Sequence, residues 1–205
     1  MERIDVNFLQ ETLGEGSLVN KVLMNFLPHC VFLFLDVRGR SSGCTVGFKK
    51  RSIRLENVWG GEGYLGADII SSNFNLPLRV INVYGPFHNR KIFWERLLDS
   101  NFIQSKNLIL GGDLNFSLGL AESWGNKAQT DPVTAFFEVL MDSYDLLNID
   151  MEKLMPTWRN RRIGEDTLAR RLDCFLIKAP LLTRLDRIHQ WVGSGRHSDH
   201  FLVFL

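Results

Sequence analysis

Short runs of consecutive apolar residues, closed off by Gly, Pro, Asn and Ser, recur along the chain. Several are apolar at every position: VFLFL at 31–35, LILG at 108–111 and FLVFL at 201–205. A strand alternates its side chains, so a run that is apolar throughout must be covered on both faces. On this pattern strands are predicted at Asp5–Leu9, Val31–Leu35, Cys44–Phe48, Ser52–Val58, Ala67–Ser71, Leu78–Tyr84, Asn107–Gly111, Leu172–Ile177, Ile188–Val192 and Leu202–Leu205.

Three helices are predicted between them. Ser17 is placed to cap the first, where Val19, Val22, Leu23 and Phe26 fall at helical spacing before Pro28. Asn89 is placed to cap the second, with an apolar stripe of Phe93, Trp94, Leu97 and Leu98. Asp131–Pro132 reads as a cap and first-turn proline for the third, which buries Phe136, Phe137, Leu140 and Tyr144. No repeat, low-complexity segment or Pro/Ser linker divides residues 1–205, so one α/β domain is expected, built of two packed sheets with helices outside.

The net charge of +1 gives no overall electrostatic signature of a polyanionic partner. Three widely spaced cysteines, Cys30, Cys44 and Cys174, fit neither a zinc knuckle nor a disulfide framework. The N-terminal residues lack the pattern of a signal peptide, and no apolar run approaches the ~20 residues needed to span a bilayer. An intracellular protein is expected. The chain begins almost directly in a strand and stops inside another, which reads as an N-terminally truncated piece of a larger protein.

Chemistry-bearing residues gather at strand ends. In NLILGGDLNFSLG, Asp113 and Asn115 stand two positions apart, so an extended chain sets carboxylate and amide on one side. Such oxygen and amide groups suit a hydrated hard cation, or a phosphate with its attacking water. In GSGRHSDHFLVFL, Asp199 could ligate a metal. His200 could serve as general acid or base, with Asp173 the natural carboxylate to orient its ring. Glu11 lies just beyond the apolar VNFL, and Tyr84 ends VINVY, where its hydroxyl could reach a phosphate oxygen.

The ordered set QET, NVYGP, GGDLNF, TW, RLD and SDH resembles the endonuclease/exonuclease/phosphatase superfamily. Longer stretches, among them FLQETLGEG, LDVRGRSSGCTVGF, WGGEGYLGAD, NVYGPFHNRKIFWERLL, PTWRNRR, ARRLDCFLI and QWVGSGRHSDH, are similar to the endonuclease domain of plant LINE-type (non-LTR) retrotransposons. The resemblance spans essentially the whole chain. It implies a deoxyribonuclease I-like four-layer α/β sandwich of two mainly antiparallel sheets, and a Mg2+-dependent phosphodiesterase, with Mn2+ as alternative ion, that nicks DNA.

Carried over residue by residue, the resemblance implies that Glu11 holds the metal with Asp199 close to it. Asp113 would align or deprotonate the attacking water. Asn115 and Tyr84 would bind the scissile phosphate, Thr157 would contact it, and Asp173 would orient His200. Such a domain would reach the nucleus. The family's first strand, which carries a metal-positioning Asn, has no counterpart here, and Phe87 stands where the family has another Asn. An inactive remnant that at most binds nucleic acid is therefore the competing expectation.

Five arginines, Arg159, Arg161, Arg162, Arg170 and Arg171, crowd the stretch after Thr157, with Trp158 among them. Arginines in such a run could track a phosphate backbone while the indole packs on sugar or base. Trp158, Arg159, Arg161 and Arg171 are thus expected to contact DNA.

Overall fold

The computed structural model describes residues 4–36, 43–72, 74, 76–185, 187–195 and 198–205. The chain is mixed α/β and folds as two compact units, Met1–Tyr84 with Asn107–Gly112, and Gly85–Lys106 with Asp113–Leu205. Among the described residues no helix is long and apolar enough to cross a membrane.

The first unit holds β1 (Val6–Leu9), α1 (Gly16–Phe26), β2 (Cys30–Leu35), β3 (Cys44–Lys49), β4 (Ile53–Gly61), β5 (Tyr64–Ser71), β6 (Pro77–Tyr84) and β7 (Leu108–Asp113). β3 lies between β1 and β2, antiparallel to both, with Leu9 opposite Thr45 and Leu35 opposite Cys44. A second sheet runs β4-β5-β6-β7, its first three strands antiparallel. The core between them is aliphatic (Val46, Leu65, Ala67, Ile69, Val80), while Ile81 and Val83 are buried on the opposite face of β6. A buried amide interrupts that core. Asn82 of β6 donates from Nδ2 to the carbonyls of Leu9 and Thr45, 3.0 Å each, and so ties β6 to β1 and β3.

The second unit contains α2 (Arg90–Leu98), β8 (Ser123–Trp124), α3 (Thr134–Ser143), β9 (Leu146–Asn148), β10 (Trp158–Arg159), β11 (Ala169–Arg170), β12 (Asp173–Lys178), α4 (Ala179–Leu182), β13 (Trp191–Val192) and β14 (Val203–Phe204). Here β12 pairs antiparallel with β9, β11 sits between β10 and β8, and β13 pairs with β14. The core is aromatic: Phe116 stacks on Phe137 with centroids 3.5 Å apart, and Trp94 meets both edge-on at 5.5 and 5.3 Å.

The first eight predicted strands form with ends within three residues of expectation, β4 running on to Gly61 and β5 starting at Tyr64, whereas the last two shrink to the two-residue β13 and β14. Helix ends differ more. The first helix starts at Gly16 with Glu15 as its cap, so Ser17 sits in the first turn. No residue of α1 is buried, and Val22 and Phe26 of its expected stripe face solvent. Asn89 does cap α2, but in the left-handed region and without a side-chain bond. Asp131 acts one turn early: its Oδ1 accepts the Val133 N–H at 3.1 Å, and the helix begins at Thr134.

Candidate active site

In the second unit, four stretches remote in sequence meet around His200. β12 begins with Asp173, and the His200 Nδ1 lies 2.9 Å from its Oδ2. On the other side of the ring, Nε2 stands 3.8 Å from Oδ2 of Asp113, which is 4% exposed. Burial alone would lower the imidazole pKa. The hydrogen bond that Nδ1–H donates to Asp173 and the charges of Asp173, Asp113 and Asp199 outweigh burial and raise it to about 9. His200 is therefore a cation at neutral pH, held between two carboxylates.

The turn after β7 is shaped by its own side chains. Asn115 takes a positive φ of 54°, a conformation its short polar side chain tolerates. Asp113 Oδ1 accepts the Asn115 backbone N–H at 3.0 Å. Asn115 Nδ2 donates to the Gly85 carbonyl at 2.6 Å and to Asp113 Oδ2 at 3.3 Å. The amide nitrogen is thus turned inward, where it fastens Asp113. Phe116 in the aromatic core and Arg90, which donates to the Asn115 carbonyl at 2.9 Å, anchor the turn from either side.

Thr157, expected to touch phosphate, is wholly buried. Its Oγ1 accepts the backbone N–H groups of Leu172 and Asp173, both at 2.9 Å, while its carbonyl accepts the N–H of Phe201 at 2.7 Å. It therefore joins the segment bearing Asp173 to the segment bearing His200. Arg171 is a second correction. It is 2% exposed, with NH1 2.5 Å from Glu122 Oε1 and NH2 2.8 Å from Asn148 Oδ1. A guanidinium so enclosed is a structural ion pair and is closed to a DNA backbone. Arg171 lies one residue before the apolar run that β12 buries, and that position, more than its charge, was the informative signal.

Trp158 pairs across to His200 as an isolated antiparallel bridge, and its indole Nε1 donates to Asp199 Oδ2 at 3.1 Å. Asp199 is in turn half-buried, with its carbonyl accepting the Arg159 N–H at 3.0 Å. Arg159 and Arg161 are exposed, the former with its guanidinium 4.9 Å over the Phe201 ring. Arg196 and His197 of the GSGRHSDH motif, and positions 37–42 of the LDVRGRSSG stretch, lie outside the described residues.

The first unit carries the other two predicted residues together. The Tyr84 hydroxyl donates to Glu11 Oε1 at 2.7 Å, and Glu11 is exposed just past β1 with φ 54°. Gln10 beside it donates from Nε2 to Asn82 Oδ1 at 2.5 Å. Asn82 and Gln10 were not singled out from the sequence, although the NVYGP and QET motifs contain them. Gly112 seals this corner: at φ +128°, a Cβ there would stand 2.2 Å from the Val83 carbonyl and 2.7 Å from Gln10 Nε2.

Among the described residues, no three of His, Cys, Asp and Glu come together in a metal-holding group. Mg2+ is usually held by one or two carboxylates, with water and substrate phosphate completing its shell. The exposed Glu11 carboxylate suits that mode of binding.

This architecture recurs in solved structures. The endonuclease domain of TRAS1, a telomere-specific non-LTR retrotransposon, matches with a TM-score of 0.72 at 14% identity, over 96% of this chain and 83% of that one. The AP endonuclease LMAP from Leishmania major also reaches 0.72 at 14% identity, over 96% and 76%. The chain has the fold of these endonuclease domains. D. rerio TDP2, complexed with a single-strand DNA product, is similar in fold at a TM-score of 0.61 and 13% identity, over 96% and 81%. At such identities the likeness is one of fold. No protein-family model and no curated protein matches the sequence.

Proposed function

We propose that this chain is a divalent-metal-dependent phosphodiesterase that nicks DNA, an endonuclease domain of the kind that non-LTR retrotransposons carry. The observation that carries the reading is the Asp173–His200–Asp113 arrangement: a buried carboxylate 2.9 Å from one ring nitrogen, and a second carboxylate 3.8 Å from the other. A phosphodiester attacked by water develops negative charge on its equatorial oxygens, and a fixed cation beside them lowers that barrier. His200, kept charged by its neighbours, is such a group. Asp113, fixed by both the backbone and the side chain of Asn115, is the carboxylate available to orient the water and accept its proton. Glu11 would hold Mg2+, which neutralises phosphate charge when bound. Tyr84, through its hydroxyl, sets the rotamer of that carboxylate. The exposed Arg159 and Arg161 would follow the phosphate backbone without reading bases.

A supercoiled-plasmid relaxation assay with Mg2+ or EDTA tests the reading. Wild type should nick only with the ion, and His200→Ala should slow nicking roughly a hundred-fold or more. Wild type and His200→Ala relaxing plasmid at the same rate would refute it.

A further inference from the structure

Phe87 presents 79% of its surface to solvent, in a unit whose other large aromatics are buried or half-buried. Its loop is pinned at both ends. On one side the Gly85 N–H donates to the Asp113 carbonyl at 2.7 Å, and the Gly85 carbonyl accepts the Asn115 amide at 2.6 Å. Gly85 also lies so close to the turn that a Cβ would stand 2.2 Å from the Leu114 carbonyl. On the other side Arg90 binds the Asn115 carbonyl at 2.9 Å and Asp131 at 2.7 Å. The His88 ring meets the Phe87 ring edge-on at 5.2 Å, which restrains its orientation.

Two residues span at most about 7 Å, so the exposed ring is tethered next to the Asp113–Asn115 turn. In a nucleic acid, a single sugar separates base from phosphate. A rigid apolar ring with no donor or acceptor, set beside the Asp113 carboxylate that the proposed function places at the attacking water, offers one interaction of value to such a substrate: a face on which a base can stack. A base paired inside a duplex has both faces covered already, so the occupant must be unpaired.

We propose that Phe87, braced by His88, is a stacking shelf for an unpaired DNA base adjoining the phosphate that is cut. The shelf rests on the phosphodiesterase reading for its purpose. Its contact is sequence-tolerant, because every base has a face to stack while the ring reads no base edge.

The test uses the whole chain in EDTA with single-stranded oligonucleotides that carry 2-aminopurine at successive positions. Wild type should quench the probe at one position above all. Phe87→Ala should abolish that quenching and weaken binding roughly five- to a hundred-fold, the scale of one lost stacked base. Phe87→Trp should retain both. On a strand abasic at that position, wild type and Phe87→Ala should bind equally.

Equal quenching by wild type and Phe87→Ala, no quenching by wild type at any position, or equal affinity loss on the abasic strand would each overturn the shelf. Plasmid nicking is read separately. Position-specific quenching without nicking refutes the phosphodiesterase reading alone, and nicking without quenching refutes the shelf alone.

Discussion

Replacing Arg171 with alanine separates an arginine that holds the fold from one that lies on a DNA path. In the structure its NH1 pairs with Glu122 at 2.5 Å, and its NH2 donates to Asn148 at 2.8 Å and to the Ile149 carbonyl at 3.3 Å. Truncation removes all three bonds and strands the Glu122 carboxylate, whose remaining side-chain partner is the Leu118 N–H at 2.6 Å. Breaking a buried ion pair from one side costs about 3–5 kcal/mol, mostly the desolvation of the abandoned charge. For a chain of this size each kcal/mol is worth about 2–4 °C, so Tm should fall by roughly 6–20 °C. Urea titration followed by circular dichroism measures the loss directly. The double variant Glu122→Leu with Arg171→Met removes both charges and should recover most of the stability, since an apolar replacement of the whole pair is often neutral. A surface arginine on a DNA path would behave otherwise, losing within about 0.5 kcal/mol of stability and lowering the salt slope of DNA binding. Stability unchanged in Arg171→Ala, together with a shallower salt slope, would refute the structural role.

The His200 imidazole should titrate near 9 by NMR, and Asp173→Asn, which removes its hydrogen-bonded charge, should bring that value down. Because the folded-state pKa lies above the unfolded value of about 6.5, the stability it contributes is full below that pH and disappears as pH rises through 9. A flat stability profile from pH 6 to 10 would show that the histidine is not so coupled. Gly112→Ala forces a Cβ into the Val83 carbonyl at a positive φ and should cost at least about 2 kcal/mol in chemical denaturation. A cost below about 0.5 kcal/mol would mean that the β6–β7 corner can relax.

The long strands were legible from apolar runs such as VFLFL and LILG, although Val31 of the first is 43% exposed, so that run is not covered on both faces. Asp113, Asp173 and His200, each where an apolar run gives way to polar residues, could be picked out as candidates, and the structure brings their side chains together. The helix ends were less so. Ser17 and Asp131 are sound capping residues locally, and the true starts at Gly16 and Thr134 follow from bonds to distant partners, Asp36 for Gly16 and Arg90 for Asp131. The strands β8, β10 and β11 are two residues each, too short to show any period, and exist because they pair with one another.

Local pattern therefore determined the long strands, the apolar core residues and which polar side chains stand at strand ends, since each depends on hydrophobicity and chain period within a few residues. Tertiary structure alone decided what each polar group does. It turned Arg171 inward to Glu122, buried the Thr157 hydroxyl under two backbone amides, set Asn82 across two sheets and left Phe87 bare. A polar side chain's role is fixed by its partners and its access to water, and both are properties of residues tens of positions away.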